Sequence, residues 1–282
     1  MLANATRRWA VMLVTACLPL LLGNCEPMHV DKPEEPIDMQ HPADNILASY
    51  NFNEKIGEWS ERNTCCDWSA TLTDSIKRGG LRSARIELRK GDLSMGVPWS
   101  EFGLSPNKNR EEWYAFSVYF PQSFVKDTME ESIVQWQALP DFSKGENWRS
   151  PPLLLGVLND NVVLEIRSDS KEVNQQGDYS FTRLNLGKLE KEQWLDWVFH
   201  VRWAYDNTGI IEVWKNGKLI LQRLNEPNAY NDAMYPYFKI GLYKWGWELK
   251  NKSVTNSRVI FIDEVKVGNE RSGYEKVAIQ SR

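Results

Sequence analysis

The sequence predicts an all-β fold, a two-sheet antiparallel sandwich of the jelly-roll kind, on three observations. Short apolar or alternating runs recur between turn signals from Ile46 onward, almost nothing carries a helical period, and Lys215-Asn216-Gly217-Lys218 lies between two such runs. Asn-Gly supplies the positive φ that a type I′ hairpin turn requires. At 282 residues the chain can close one large core, since single sandwiches commonly run to about 200–250 residues. Hydrophobic residues at 42% and charged residues at 26% are globular proportions and exclude a disordered chain. A net charge of −4 gives no general attraction to nucleic acid, so a bound polyanion would need a locally basic groove.

Taken in order, the chain opens on a targeting pattern. Arg7 and Arg8 precede a run from Trp9 to Gly23 that is apolar apart from Thr15, which reads as a secretory signal over residues 1–24 and is too short for a convincing membrane span. Leu22-Gly23-Asn24-Cys25 resembles a bacterial lipoprotein box, with Asn24 in place of the usual small residue. The expectation is secretion, or a lipid anchor at Cys25 on the bacterial cell envelope. Residues 25–45 are rich in Pro and acid and read as a tether. With Cys17 in the signal and Cys25 as the anchor, Cys65 and Cys66 remain, and adjacent cysteines cannot staple a long loop. No spacing matches a zinc site.

One domain is expected over residues 46–272, with a tail at 273–282. Its strand-like runs are 113–120, 133–137, 153–158, 162–167, 197–203, 210–214, 218–221, 237–243 and 259–267. Read at the strand period of two, residues 237–245 put Tyr237, Lys239, Gly241, Tyr243 and Trp245 on one face and Phe238, Ile240 and Leu242 on the other. Arg85, Glu87 and Arg89 share a face opposite Ile86 and Leu88; Gln135 and Gln137 project together; His200 and Arg202 lie opposite large apolar residues. Any one of these is ordinarily a solvated outer face. As a set, rich in Gln, Tyr, Trp and Arg, they look like the wall of a ligand groove.

Arg85-Ile86-Glu87-Leu88-Arg89 resembles the R-T-E-L-R motif of the alginate lyases of polysaccharide lyase family seven. Gln135-Trp136-Gln137 stands where they carry Q-I-H, and residues 237–243 resemble their Y-F-K-A-G-x-Y. His200-Val201-Arg202-Trp203 and Val213-Trp214-Lys215-Asn216-Gly217 are similar to the glucuronan lyase and heparin lyase I relatives. The resemblance spans about residues 80 to 265. It implies a concanavalin-like jelly roll that cleaves an anionic, uronate-containing polysaccharide by β-elimination, as a monomer that needs no cofactor.

The residue roles follow from the same resemblance. Gln135, through its amide N–H, and Arg85, through its guanidinium fork, would neutralise the uronate carboxylate. Tyr243 would be the acid and often the base as well. The family's His is Gln137 here, so either Tyr243 carries both proton transfers, the favoured reading, or His200 takes the base role. Lys239 and Arg89 would bind neighbouring uronates, Tyr237 and Trp245 would stack on sugars, Glu87 would orient the arginines, and Gln137 and Arg202 complete the substrate-binding set. Asn51 and Asp263 are oxygen donors of the type a structural calcium takes, against the plainer reading as surface groups. Two rivals remain: a non-catalytic carbohydrate-binding jelly roll, and a glycoside hydrolase with paired carboxylates, whose Glu-x-Asp-x-x-Glu string is absent.

Overall fold

The computed structural model describes residues 45–247 and 253–280. The signal, Cys25 and nearly all of the tether lie outside the described residues. In chain order the strands are β1 (Ile46–Tyr50), β2 (Glu61–Asn63), β3 (Ala70–Thr73), β4 (Ser83–Arg89), β5 (Trp99–Gly103), β6 (Glu111–Tyr119), β7 (Glu131–Gln137) and β8 (Leu153–Leu158). They continue as β9 (Asn161–Ser168), β10 (Ser180–Lys188), β11 (Trp194–Arg202), β12 (Ile210–Lys215), β13 (Lys218–Leu224), β14 (Tyr237–Tyr243) and β15 (Ser257–Asn269), before the short helix α1 (Tyr274–Val277).

Two antiparallel sheets result. The eight-stranded back sheet runs β13-β12-β11-β6-β15-β4-β3, with β1 also paired to β15; the seven-stranded front sheet runs β10-β9-β8-β7-β14-β5-β2. The jelly-roll expectation therefore holds, and the helical content among the described residues is one four-residue turn and one three-residue 3-10 turn at Phe142–Lys144. Alternation builds the core. Leu195, Trp197, Phe199 and Val201 of β11 meet Phe238, Ile240 and Leu242 of β14 and Trp136 of β7 in one buried cluster. Trp136 lies 4.8 Å from Phe199 across the sheets and edge-on to Tyr114 at 5.4 Å. Each such aromatic contributes about 1.5–3 kcal/mol by leaving water. The Asn-Gly hairpin forms as expected between β12 and β13, with Asn216 at φ 49° and Gly217 at φ 79°.

Sheet membership decides which polar faces can meet. Ala84, Ile86 and Leu88 point into the core, so Arg85, Glu87 and Arg89 point outward from the back sheet. The same logic turns His200 and Arg202 outward on β11. The front sheet presents its own outward face from β7 and β14. Four strands expected to form one wall thus lie on two opposite surfaces. Part of the back surface is itself covered: Val277 and Ala278 at α1 pack on Ala115 and Val198, with Trp113 and Trp214 alongside. Cys65 and Cys66 are joined to each other in the loop between β2 and β3, a bond that closes no long loop.

Candidate active site

A groove of about 1390 Å³ crosses the outward face of the front sheet. One row of its residues follows the strand register: Glu61, Gly103, Lys239, Gln135, Leu154, Glu165 and Arg183 are successive partners from β2 to β10. Six spacings of about 4.8 Å give this row a span of about 29 Å. Five cationic and three acidic side chains line the groove, so a chain that is acidic overall has here a local positive balance. Trp99, Trp148, Tyr179, Phe181 and Trp245 add flat apolar surface.

Six residues expected from sequence lie together here: Gln135, Gln137, Tyr237, Lys239, Tyr243 and Trp245. At their centre is a residue the sequence reading missed. Glu101 of β5 is fully buried, holds Lys239 at 3.1 Å, and accepts both hydrogen bonds from the Gln135 amide at 2.9 Å. A buried carboxylate is stable when a cation and N–H donors satisfy it in this way. Lys239 also lies 3.7 Å from Glu61 and 4.3 Å from the centre of the Trp99 ring.

Gly241 explains how Glu101 gets so close. A Cβ there would meet the Ser100 carbonyl oxygen at 2.2 Å and the Glu101 Cα at 2.7 Å, and its φ is 145°. The backbone that approaches this glycine is β5, not a ligand. The missing side chain lets β5 close up on β14 and brings Glu101 against Lys239 and Gln135. Tyr243 is half-buried beside Trp99 and Trp245, at ring distances of 5.7 and 5.4 Å. Burial, and then the negative charge of Glu101, push its phenol above the ordinary tyrosine range. Burial and Glu61 do the same to Tyr237 more strongly.

Several expectations need correction. Arg85, Glu87 and Arg89 are on the back sheet, where Glu87 does clamp both arginines at 2.6 Å, but away from the groove. His200 is also on the back surface, stacked 4.0 Å from Trp113 with its two ring nitrogens on Glu212 at 2.7 Å and Glu111 at 2.8 Å. Arg202 donates to Glu111 there at 2.7 Å. None of the five can touch a ligand in the groove. Gln135 has its amide N–H groups committed to Glu101, leaving its carbonyl oxygen for other partners. Gln137, in the place of the expected imidazole, donates to the Arg149 carbonyl at 2.9 Å.

Asn51 and Asp263, the two calcium candidates, both accept hydrogen bonds from backbone N–H groups. Asp263 is fully buried and accepts the backbone N–H groups of Arg78 at 2.9 Å, Gly79 at 3.2 Å and Glu264 at 2.9 Å. Asn51 is exposed and accepts from the Asn53 N–H at 3.2 Å.

The groove's far end was also missed. Arg149 is fully enclosed by Glu146 at 3.1 Å, by Asp232, and by the Tyr230 ring at 4.5 Å. Burial raises the Asp232 carboxyl to about 7 against the pull of Arg149. Glu165, Arg167 and Arg183 lie on β9 and β10, whose register brings them together. Their sequence signal was available in the alternation Glu165-Ile166-Arg167 and Phe181-Thr182-Arg183.

The known proteins to which this chain is similar fit that arrangement. A sequence profile described as polysaccharide lyase matches residues 49–266. No curated protein sequence matches the chain. Among solved structures, an endo-beta-1,4-glucuronan lyase from the fungus Trichoderma reesei has 17% identity and a TM-score of 0.72, over 83% of this chain and 98% of that one. The marine PL-14 alginate lyase from Aplysia kurodai has 11% identity and a TM-score of 0.49, over 71% and 87%. With the profile spanning nearly the whole sandwich, the chain belongs to the polysaccharide lyase family and is an enzyme that breaks carbon–oxygen bonds in polysaccharides.

Proposed function

We propose that this enzyme cleaves a uronate-containing anionic polysaccharide by β-elimination in the front-sheet groove. The proton leaves the ring carbon beside the carboxylate, a carbon–carbon double bond forms, and the glycosidic C–O bond breaks as its oxygen takes a proton. No water is consumed. The observation that carries this reading is the half-buried Tyr243 in the groove wall together with the fixed Lys239–Glu101–Gln135 cluster.

Tyr243 is the proton carrier. Its raised pKa keeps the phenol protonated near neutrality, the form that donates to the leaving oxygen, and puts the phenolate, the form that removes the ring proton, on the alkaline side. Lys239 supplies positive charge near the developing enolate, and Glu101 holds Lys239 and Gln135 in position. Substrate carboxylates are drawn in by the local excess of groove cations.

Glucuronan is the first polymer to test, since the fold similarity at a TM-score of 0.72 is to a glucuronan lyase; alginate and heparin-type chains follow. Ultraviolet absorbance of the new double bond reports cleavage directly. An absorbance rise on one of these polymers is the expected result. Silence across the uronate panel, with binding retained, would overturn the elimination. We place the enzyme outside the cytoplasm, secreted or anchored at Cys25, because Arg7, Arg8 and the apolar run to Gly23 form a leader and a Cys65–Cys66 bond suits an oxidising compartment.

A further inference from the structure

The groove continues past the reacting centre to the edge strand β10, where a cluster lies that the elimination does not use. Glu165 is nearly fully buried, and its carboxylate is shared by Arg167 and by Arg183 Nε at 2.9 Å. Arg167 Nη1 donates to the Pro151 carbonyl at 3.0 Å, which locks that guanidinium; its buried Nε has no hydrogen-bond partner. Arg183 Nη2 also reaches Glu130 at 2.6 Å. Both guanidiniums lie near one ring, Phe181, at 4.9 Å for Arg167 and 5.5 Å for Arg183. Phe181 is 48% exposed and faces the groove.

An exposed ion pair by itself contributes little, and a lone exposed Phe needs no explanation. Here, however, two cations are held near one exposed aromatic by a carboxylate that is itself buried, in the same strand-to-strand row as Gln135 and Lys239. Fixing guanidiniums before binding removes the ordering cost that a free Arg would carry.

We propose that Arg183, Arg167 and Phe181 form a distal subsite for a second uronate unit of the polymer, whose carboxylate pairs with Arg183 while its ring lies against Phe181. This deepens the uronate lyase reading and rests on it. From Lys239 and Tyr243 on β14 to β10 is four strand spacings, about 19 Å, so only a chain of several sugar units reaches both places. The subsite makes the enzyme select for length, favouring polymer over short oligomers.

Glu130 sets the charge of this subsite. It faces Arg183 on β10 and Glu165 and Arg167 on β9, and burial followed by the charge of Glu165 raises its carboxyl to about 7. Below that pH it is neutral and releases Arg183 to a substrate carboxylate; above it, it competes for the same guanidinium. The KM for long chains is therefore lowest on the acid side of pH 7.

The test compares kcat/KM on polymer with that on a trisaccharide of the same uronate. Arg183→Gln is expected to lower the polymer-to-trisaccharide ratio about tenfold through KM, the scale of one charge-assisted pair, with Arg183→Lys restoring part of it. Phe181→Ala, on an exposed edge position, is expected to lower the ratio as well and guards against a folding defect in the Arg183 variants. Glu130→Gln should flatten the pH dependence of KM on polymer. A ratio unchanged in both Arg183→Gln and Phe181→Ala would overturn the subsite. Calorimetric titration with a saturated oligouronate separates the two readings: weaker binding to Arg183→Gln in a protein that eliminates no uronate keeps the subsite and removes the uronate elimination, whereas wild-type binding removes the subsite whatever the enzyme cleaves.

Discussion

At the scale of single residues, the proposed elimination rests on Tyr243. Tyr243→Phe would remove the proposed proton carrier and almost no packing area, so kcat is expected to fall about 10²–10⁴-fold while polymer affinity, measured by calorimetry, stays near that of the wild type. A variant keeping most of its turnover would make Tyr243 a piece of the groove wall. His200→Ala is the control from the other surface. Because His200 is held between Glu111 and Glu212 behind the back sheet, its loss should leave kcat within about twofold, inside the scatter of a site with no contact to the chemistry; a collapse of kcat with an intact fold would contradict the placement. Tyr243 and Lys239 were legible in the sequence because period-two alternation says which residues share a face. Glu101 was not, because Trp99-Ser100-Glu101-Phe102-Gly103 is short and its importance comes from lying beside Gly241 on a strand distant in sequence.

At the scale of elements, β14 is the strand on which the site depends. Gly241→Ala would place a methyl group against Ser100 and Glu101 of β5 and force the two strands apart, shifting Glu101 and with it Lys239 and Gln135. Loss of turnover together with a lower melting temperature is the expected outcome, and a fully active alanine variant would show that the close approach of β5 to β14 is not needed. Just past Tyr243, Lys244 is buried against Asp127 at 3.3 Å and Glu131 at 3.4 Å, and Arg258 of β15 meets Glu131 at 2.8 Å. This balanced network ties β14, β7 and β15 together at one end of the sandwich. Lys244→Met strands buried carboxylates and should cost about 3–5 kcal/mol, a fall in melting temperature on the order of 10 °C, readable by calorimetry.

At the scale of the whole molecule, the carboxyl groups divide into two sets with opposite pH behaviour. Burial raises Glu130 and Asp232 to about 7 and Asp263 to about 6. Such groups bind protons more tightly in the fold than in the unfolded chain, so their contribution is fully present below the ordinary carboxyl range near pH 4 and is lost as pH rises through 6 to 7. Glu87, Glu111 and Asp127 lie below the ordinary range: burial opposes their ionisation but is outweighed by the arginines on Glu87, by His200 and Arg202 on Glu111, and by Ser253, Met129 and Lys244 on Asp127. Their contribution is present above about pH 4 and lost as pH falls. Thermal melts from pH 4 to 8 should therefore peak at about pH 5 to 6. A melting temperature still climbing at pH 8 would mean that the raised groups are solvated in solution.

The sequence by itself determined the fold class, the hairpin at Asn216-Gly217 and the composition of every polar face, because alternation, turn chemistry and β-branched and aromatic content are local properties of the chain. It also determined half of the groove, the residues of β7 and β14 that alternation and motif marked together. Only the tertiary structure decided which faces meet. A strand's period says that Arg85 and His200 point away from the core, but not which of two sheets the strand joins; pairing of β4 with β15 and of β11 with β6 sends both to the back, and β5 and β9 take the places beside the site. The physical reason is that sheet order is set by long-range hydrogen bonding and core packing between segments far apart in sequence, contacts that no local pattern contains.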